Sequence, residues 1–302
     1  MAKVSIIIPA RAENFRIGNE TTLQRTVREV YKKATGDFEV IVGFNGEPYK
    51  DFPKWPNLKV IKFPEDVGIK TNINALVATA RGKYIYKSDA HCSFGKGFDE
   101  ILQADMQEDW IVMPRFYVLN GMTWEWQDER FYDYFYLSCP FTDLKGFRFK
   151  AGGHWPERTQ KRDPYSGTSW STNHPPLFID ETPQIHGSGW FMTRDRFFEF
   201  GGFPNIDPHG HAQEPIWLAL KNWIEGGKVM VNKKTWYAHL HQDGSKRGYP
   251  EDKEHTERTY RMTAEYWVKH PKFEWFVDKF MPMPTWPDNW RALLIDWKAK
   301  NG

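Results

Sequence analysis

Cysteine is almost missing from this chain. Cys92 and Cys139 are the only two in 302 residues. Neither belongs to a C-x-x-C pair, which excludes a disulfide framework, a zinc ribbon and a dithiol redox motif and makes a reducing compartment the expectation. Long apolar runs are missing too. The opening run Val4–Pro9 is too short for a secretory signal, and nothing further along approaches the ~18 apolar residues of a membrane span, so the expectation is a cytoplasmic chain without a membrane partner. No charge of one sign dominates: 41 Lys and Arg stand against 39 Asp and Glu, a formal net charge of +2. Any attraction to nucleic acid must then come from a local patch, not a global field. There is no G-x-G-x-x-G run and no Walker loop, so a dinucleotide or P-loop site is not indicated, and there is no internal repeat. What the chain has in excess is aromatics. Fifteen Trp, 13 Tyr and 22 Phe make 17% of the residues, which argues against disorder and for wide, flat contact surfaces.

The first ~112 residues alternate strand and helix signals, the pattern of a mostly parallel α/β sheet. Val4–Pro9 is a continuous β-branched run, the mark of a buried central strand. The spacing of Leu23, Val27, Val30 and Tyr31 predicts a helix over Asn19–Lys33, with Asn19 as its cap. Strands follow at Phe38–Val42 and Leu58–Phe63, a helix at Ile69–Ala80 and a strand at Lys83–Lys87, which ends in Ser88-Asp89-Ala90-His91. Residues ~114–186 crowd aromatics between Gly, Pro and Ser without a period and read as long functional loops with short elements. Pro215–Gly226 carries a strong helix signal, Lys228–Val231 and Thr235–Ala238 read as two short strands leading into His239-Leu240-His241, and the tail beyond is helical. The organisation expected is a catalytic domain over 1–245, with a nucleotide-binding half (1–112) and an acceptor half (113–245), followed by a C-terminal helical extension (246–302).

Ligands of open α/β sheets bind beyond the carboxyl ends of the strands, where Asp89 and His91 are expected. On an extended segment, residues two apart face the same side, so this pair can hold a divalent ion. Mixed oxygen and nitrogen donors suit Mn²⁺ or another transition ion better than Mg²⁺ or Ca²⁺. His239 is a candidate third ligand, with His241, His209 and His211 as rivals. Read alone, the commoner meaning of such a pair is an aspartate capping a turn beside a surface histidine.

The segment from Gly68 to Cys92, ending Ser88-Asp89-Ala90-His91-Cys92, resembles the donor-binding region of the polypeptide N-acetylgalactosaminyltransferases and, more widely, the family 2 glycosyltransferases. A second block is similar as well: Gly189-Trp190-Phe191 stands where that family has G-L-F, Gly202 at its glycine, Glu214 at the glutamate of W-G-G-E, Gly226-Gly227 at its paired glycines, and His239 at its third metal-ligand histidine. Arg11-Ala12-Glu13 takes the place of H-N-E. The resemblance spans residues 3–112 and 187–241. It implies a GT-A fold and a metal-dependent, retaining glycosyltransferase that uses Mn²⁺ and a UDP-sugar. Asp89, His91 and His239 would hold the metal, and Glu214, with Asp89, would be catalytic. Pro9, Arg11, Glu13, Asn45, Lys70, Asn74, Ser88 and His211 would join Asp89 around the nucleotide-sugar. The chain departs from the pattern in having Asn45 where an acidic residue commonly reads the base, and His211 where the tryptophan of W-G-G-E stands.

The acceptor has one local clue. Between Lys145 and Arg162, six cations (Lys145, Arg148, Lys150, Arg158, Lys161, Arg162) stand against Glu157, interleaved with Phe147, Phe149, His154 and Trp155. Basic residues mixed with aromatics suit phosphate contacts and base stacking. Thirteen of the 15 tryptophans follow Trp110, which points to an acceptor surface including Trp124, Trp126, Arg148, Lys150, Trp155 and Trp190. The favoured acceptor is the hydroxyl of a 5-hydroxymethylpyrimidine in DNA, flipped from the stack. The rivals are a saccharide or protein Ser/Thr hydroxyl and, from another class, a non-catalytic nucleotide-sugar or nucleic-acid binding protein.

Overall fold

The computed structural model describes residues 4–46, 52–150, 152–165, 177–205, 213–241, 248–249 and 252–301. In chain order they form strands β1 (Val4–Ala10), β2 (Arg16–Ile17) and β3 (Glu20–Thr21), helix α1 (Thr22–Lys33), strands β4 (Phe38–Asn45) and β5 (Leu58–Phe63), helix α2 (Gly68–Thr79), strands β6 (Tyr84–Ser88) and β7 (Cys92–Phe94), and helix α3 (Phe98–Asp105). The second half comprises β8 (Trp110–Leu119), β9 (Trp126–Tyr132), α4 (Pro156–Lys161), β10 (Ile179–Glu181), β11 (Gly189–Thr193), α5 (Arg194–Glu199), α6 (Glu214–Ile224), β12 (Lys228–His239), α7 (Lys253–Val268), α8 (Phe273–Phe280) and α9 (Trp290–Asn301). Among the described residues no helix is long and apolar enough to cross a membrane.

Ten strands make one sheet with the path β10-β12-β8-β11-β6-β1-β4-β5, β7 pairing with β12 and β9 with β8. Two parallel blocks, β6-β1-β4-β5 and β8-β12, are joined by β11, which runs antiparallel to both β6 and β8. This is the mixed, mostly parallel α/β sheet flanked by helices that the sequence pattern predicts. From β1 the chain first builds β4 and β5 on one side and then returns to place β6 on the other. That reversal opens a crevice at the carboxyl ends of the strands.

The structure differs from the sequence reading in several places. Helix α1 begins at Thr22, not Asn19, because Thr21 and Gln24 form a capping box: the Thr21 side chain accepts from Gln24 N, and the Thr21 N–H donates to the Gln24 side chain. The 114–186 region holds a full-length continuation of β8 and the strand β9. Pro114 and Arg115, which interrupt the apolar run, lie where the β8–β12 register shifts, and a missing N–H is tolerated at such an irregularity. The buried Arg115 guanidinium is bound by Asp133 (2.9 and 2.7 Å) and Asp163 (2.7 Å). The same shift sits inside β12, which is therefore one strand and not two. Finally, the late tryptophans serve mainly the core: Trp190, Trp223, Trp267, Trp286 and Trp290 are buried, and α7 and α8 share that core with α6 through Trp217–Trp267 and Trp223–Phe280 ring contacts at 5.0 and 5.2 Å.

Candidate active site

The crevice contains a cavity of about 450 Å³. Its lining comes from the ends of β1 (Pro9 to Glu13), β4 (Asn45), β6 (Asp89 to His91) and β12 (His239, His241), with Glu214 and Trp190 from the other half. Asp89 and His91 occupy the turn between β6 and β7, not an extended segment as expected. They converge because both flanks are tied down. Asp89 N donates to Ser188 O (2.9 Å), and Leu240 N donates to His91 O (3.0 Å). The pairing of β7 with β12 sets His239 opposite Cys92, so a histidine ~150 residues downstream arrives beside His91 with ring centroids 4.8 Å apart.

One ligand atom from each of Asp89, His91 and His239 lies within 4.8 Å of the others. His239 Nε2 is 3.2 Å from Asp89 Oδ2, yet among the described residues neither of its buried ring nitrogens has a well-formed hydrogen bond. Burial, reinforced by the neighbouring His91 and His186, holds His239 well below the usual imidazole range. It is thus neutral with a lone pair to give, the form a metal ligand needs. For Asp89, burial pushes the carboxyl up, but the Lys87 ammonium, the contact with His239 and the charge of His91 prevail and hold it well below the carboxylate range. For His91, burial pulls down, but the carboxylates of Glu13 and Asp89 together prevail, so its pKa is raised. Glu13 Oε2 stands 3.3 Å from His91 Nδ1 and accepts from Thr22 Oγ1 at 3.3 Å. A proton on Nδ1 facing Glu13 leaves Nε2 as the donor nitrogen, the carboxylate–histidine arrangement that orients metal-ligating imidazoles. One carboxylate oxygen and two imidazole nitrogens fit a divalent transition ion and leave positions for other ligands.

The residues expected around the nucleotide divide. Pro9, Arg11, Glu13, Asn45 and Asp89 line the cavity, whereas Lys70, Asn74 and Ser88 do not. Asn74 is engaged by the loop after α5, bonding Phe203 N and Phe203 O at 2.9 Å each. Both ends of the Asn45 amide are also in use, giving to Asp66 (2.6 Å) and accepting from Val67 N (2.8 Å), so it fixes the entry to α2. Arg11 pairs with Asp66 at 2.8 Å and lies 4.3 Å from the Tyr249 ring centroid. His211, with its rival His209, lies outside the described residues. Glu214 opens α6 just before Pro215; it is buried, and its Oε1 has no hydrogen-bond partner among the described residues.

Of the residues expected to meet the acceptor, only Trp190 lines this cavity, fully buried. Trp124 is buried in a small separate cluster with Tyr117, Leu119, Ala238 and Leu240. Trp126 is exposed and packs on Tyr117 at 4.5 Å. Lys150 is exposed and Trp155 half-buried beneath Arg158. Arg148 is buried between Asp143 (3.0 Å) and Glu257 (2.5 Å). Arg158 and Arg162 both approach Asp180, at 3.7 and 2.6 Å. Three of the six cations, the arginines, are therefore met by carboxylates, two of which, Asp180 and Glu257, lie beyond the end of the basic stretch.

Several lining residues escaped the sequence reading: Lys87, Asn72, His186, Tyr249 and Tyr260. Asn72 shows why glycine stands at 43. Its Nδ2 donates to Gly43 O at 3.0 Å, and a Cβ at that position would meet Asn72 Oδ1 at 2.1 Å. A lysine in an otherwise apolar strand was the available signal for Lys87. Tyr249 and Tyr260 belong to the segment read as an extension, which contributes directly to the wall.

Glycosyl transferase family 2 matches residues 5–165. The fold is similar to the crystal structure of GalNAc-T7 with UDP, GalNAc and Mn²⁺ (TM-score 0.64, 18% identity, 98% of this chain and 54% of that one). It is also similar to S. aureus TarS 1–349 in complex with UDP-GlcNAc (TM-score 0.52, 13% identity, 89% of this chain and 67% of that one). The chain thus spans about half the length of GalNAc-T7, and no curated protein sequence matches it significantly. With over half its length matched and the GT-A sheet in place, the chain belongs to glycosyl transferase family 2.

Proposed function

We propose that this chain transfers a sugar from a UDP-sugar to a hydroxyl acceptor, with Mn²⁺ or a similar divalent ion held by Asp89, His91 and His239. The observation that carries the reading is the convergence of those three donors at the carboxyl end of a parallel sheet, inside a cavity of about 450 Å³. Relatives in fold whose structures hold UDP with Mn²⁺, and UDP-GlcNAc, support it. When bound, the ion would supply Lewis-acid and electrostatic stabilisation of the diphosphate leaving group.

The chain's own residues do the rest. His239 is kept neutral, and His91 is turned by Glu13, so that both present lone pairs. Arg11 and the β1 loop close one wall near the nucleotide. Glu214, buried at the first turn of α6 and lining the cavity, positions donor and acceptor hydroxyls near the anomeric carbon. In a retaining, front-face transfer the bond from the anomeric carbon to phosphate oxygen breaks while the bond to acceptor oxygen forms on the same face. The departing phosphate oxygen takes the acceptor proton, so no enzymic base of high pKa is needed.

For the acceptor we propose a 5-hydroxymethylpyrimidine of DNA. The support is local and modest in charge: Lys145, Lys150 and Lys161 are exposed, with the exposed Trp126 and half-buried Trp155 as stacking faces. The pairing of Arg148, Arg158 and Arg162 with carboxylates favours weighing a saccharide or a Ser/Thr hydroxyl beside it. The test incubates the protein with UDP-sugars and Mn²⁺ against hydroxymethylated DNA, plain DNA, peptides and oligosaccharides. Mass gain on hydroxymethylated DNA alone is expected. Gain on another acceptor replaces the DNA reading, and no metal-dependent transfer or donor hydrolysis with any UDP-sugar refutes the enzyme itself.

A further inference from the structure

The residue least explained by the proposed reaction is Lys87. It lies on β6 opposite Trp190 of β11, is only 4% exposed, and borders the same cavity as the ligand set. An ammonium in such a place is costly unless paired and hydrogen-bonded. Its Nζ donates to Gly187 O at 2.6 Å and to Asp89 Oδ1. The partner is thus the sole carboxylate among the three donors, and the two oxygens of Asp89 have different duties. Oδ1 is taken by the lysine, while Oδ2 faces His239 Nε2 at 3.2 Å.

We propose that Lys87 is a resident cation of the metal centre, restricting Asp89 to one ligating oxygen and making the divalent ion enter together with the donor diphosphate. The inference rests on the metal-centre reading given above. Its physics is charge balance in a buried pocket. Asp89 and Glu13, two imidazoles and Lys87 sum to −1, so Lys87 cancels half of the carboxylate charge that would draw a divalent ion arriving alone and sets a like charge close by. A nucleotide-sugar carries the negative charge that offsets the ion, so the two bind as a unit. Repulsion of this kind is strong where water is excluded.

The experiment titrates Mn²⁺ by isothermal calorimetry into the wild type, Lys87→Met and Lys87→Arg, each without and with saturating UDP. Without UDP, Lys87→Met is expected to bind Mn²⁺ at least about tenfold more tightly than the wild type, while Lys87→Arg, which keeps the charge, stays close to it. A general loosening of the fold would weaken binding, not strengthen it, so a gain separates this role from a merely structural ion pair. With UDP present the gap should narrow. Equal or weaker binding by Lys87→Met overturns the inference. Should that variant fail to fold, the wild type decides: UDP must raise its Mn²⁺ affinity by about tenfold or more, and an affinity indifferent to UDP overturns the inference. Absence of Mn²⁺ binding by every variant even with UDP refutes the metal centre and Lys87's role with it, whereas equal binding by all three refutes Lys87's role alone.

Discussion

Glu13 is not one of the three proposed ligands, yet replacing it by Gln should weaken metal binding measurably. Its Oε2 stands 3.3 Å from His91 Nδ1 and is steadied by Thr22 Oγ1 at 3.3 Å. In the metal-loaded form His91 must be neutral, with its remaining proton on Nδ1. The carboxylate fixes that tautomer and the ring's rotation. Loss of such a partner costs about 10–100-fold in metal affinity. The 3.3 Å separation is at the long end for a charge-assisted bond, so the lower end applies: about tenfold, or ~1.4 kcal/mol. Glutamine is nearly isosteric and can accept from Nδ1 through its carbonyl, so a larger loss would indicate collapse of the β1 loop. Mn²⁺ titration in the presence of UDP, read by the electron paramagnetic resonance signal of the free ion, measures it. His91→Ala, which removes the ligand itself, should lose far more. If Glu13→Gln binds Mn²⁺ within twofold of the wild type, or if His91→Ala is no worse than Glu13→Gln, the assigned orientation of His91 is wrong.

Other expectations follow from the same geometry. Arg115→Met should destabilise the fold by about 3–5 kcal/mol in urea unfolding, because Asp133 and Asp163 would be left buried without their cation; a change under 1 kcal/mol would show that the triad is dispensable. Gly43→Ala should cost about 1–3 kcal/mol by driving a methyl into Asn72 Oδ1, and pairing it with Asn72→Ala should recover much of that loss; no recovery would place the strain elsewhere. Burial lowers the His154 pKa from 6.5 to about 4. The unfolded chain therefore binds the extra proton first, and the contribution of His154 to stability, complete above about pH 6.5, is lost as the pH falls towards 4. Thermal melts between pH 7 and 5 should show a shallower slope for His154→Gln than for the wild type, and an identical slope would refute the assignment.

How far the sequence could be read depended on distance along the chain. The sheet's first half was legible because each element carries its own signal: the β-branched run of β1, the apolar stripe of α1, the strand that ends at Ser88. Strand β8 was not read as a strand because Pro114 and Arg115 look like loop residues. Only tertiary structure supplies the register shift that accommodates the proline and the two aspartates that neutralise the arginine. Asp89 and His91 stood out as a local pair at a strand end, but periodicity alone could not choose His239 from its rivals; the choice came from resemblance, and the β7–β12 pairing provides its physical basis. The basic stretch from Lys145 to Arg162 misled for the opposite reason. Its charges are visible in sequence, while Asp180 and Glu257, which bind three of its arginines, are not neighbours in the chain. Composition likewise carries the number of tryptophans and not their place, so Trp124 and Trp190, both buried, read as part of an acceptor surface.

Everything proposed for the reaction depends on Asp89, His91 and His239 forming a divalent-metal centre that serves cleavage of a UDP-sugar. Release of UDP from UDP-GalNAc and UDP-GlcNAc by the wild type and by His239→Ala, each with Mn²⁺ and after chelation, tests it most directly. The expected result is wild-type turnover that chelation abolishes and Mn²⁺ restores, with His239→Ala slower by at least about a hundredfold. Wild-type turnover that survives chelation, or a His239→Ala variant as active as its parent, would contradict it.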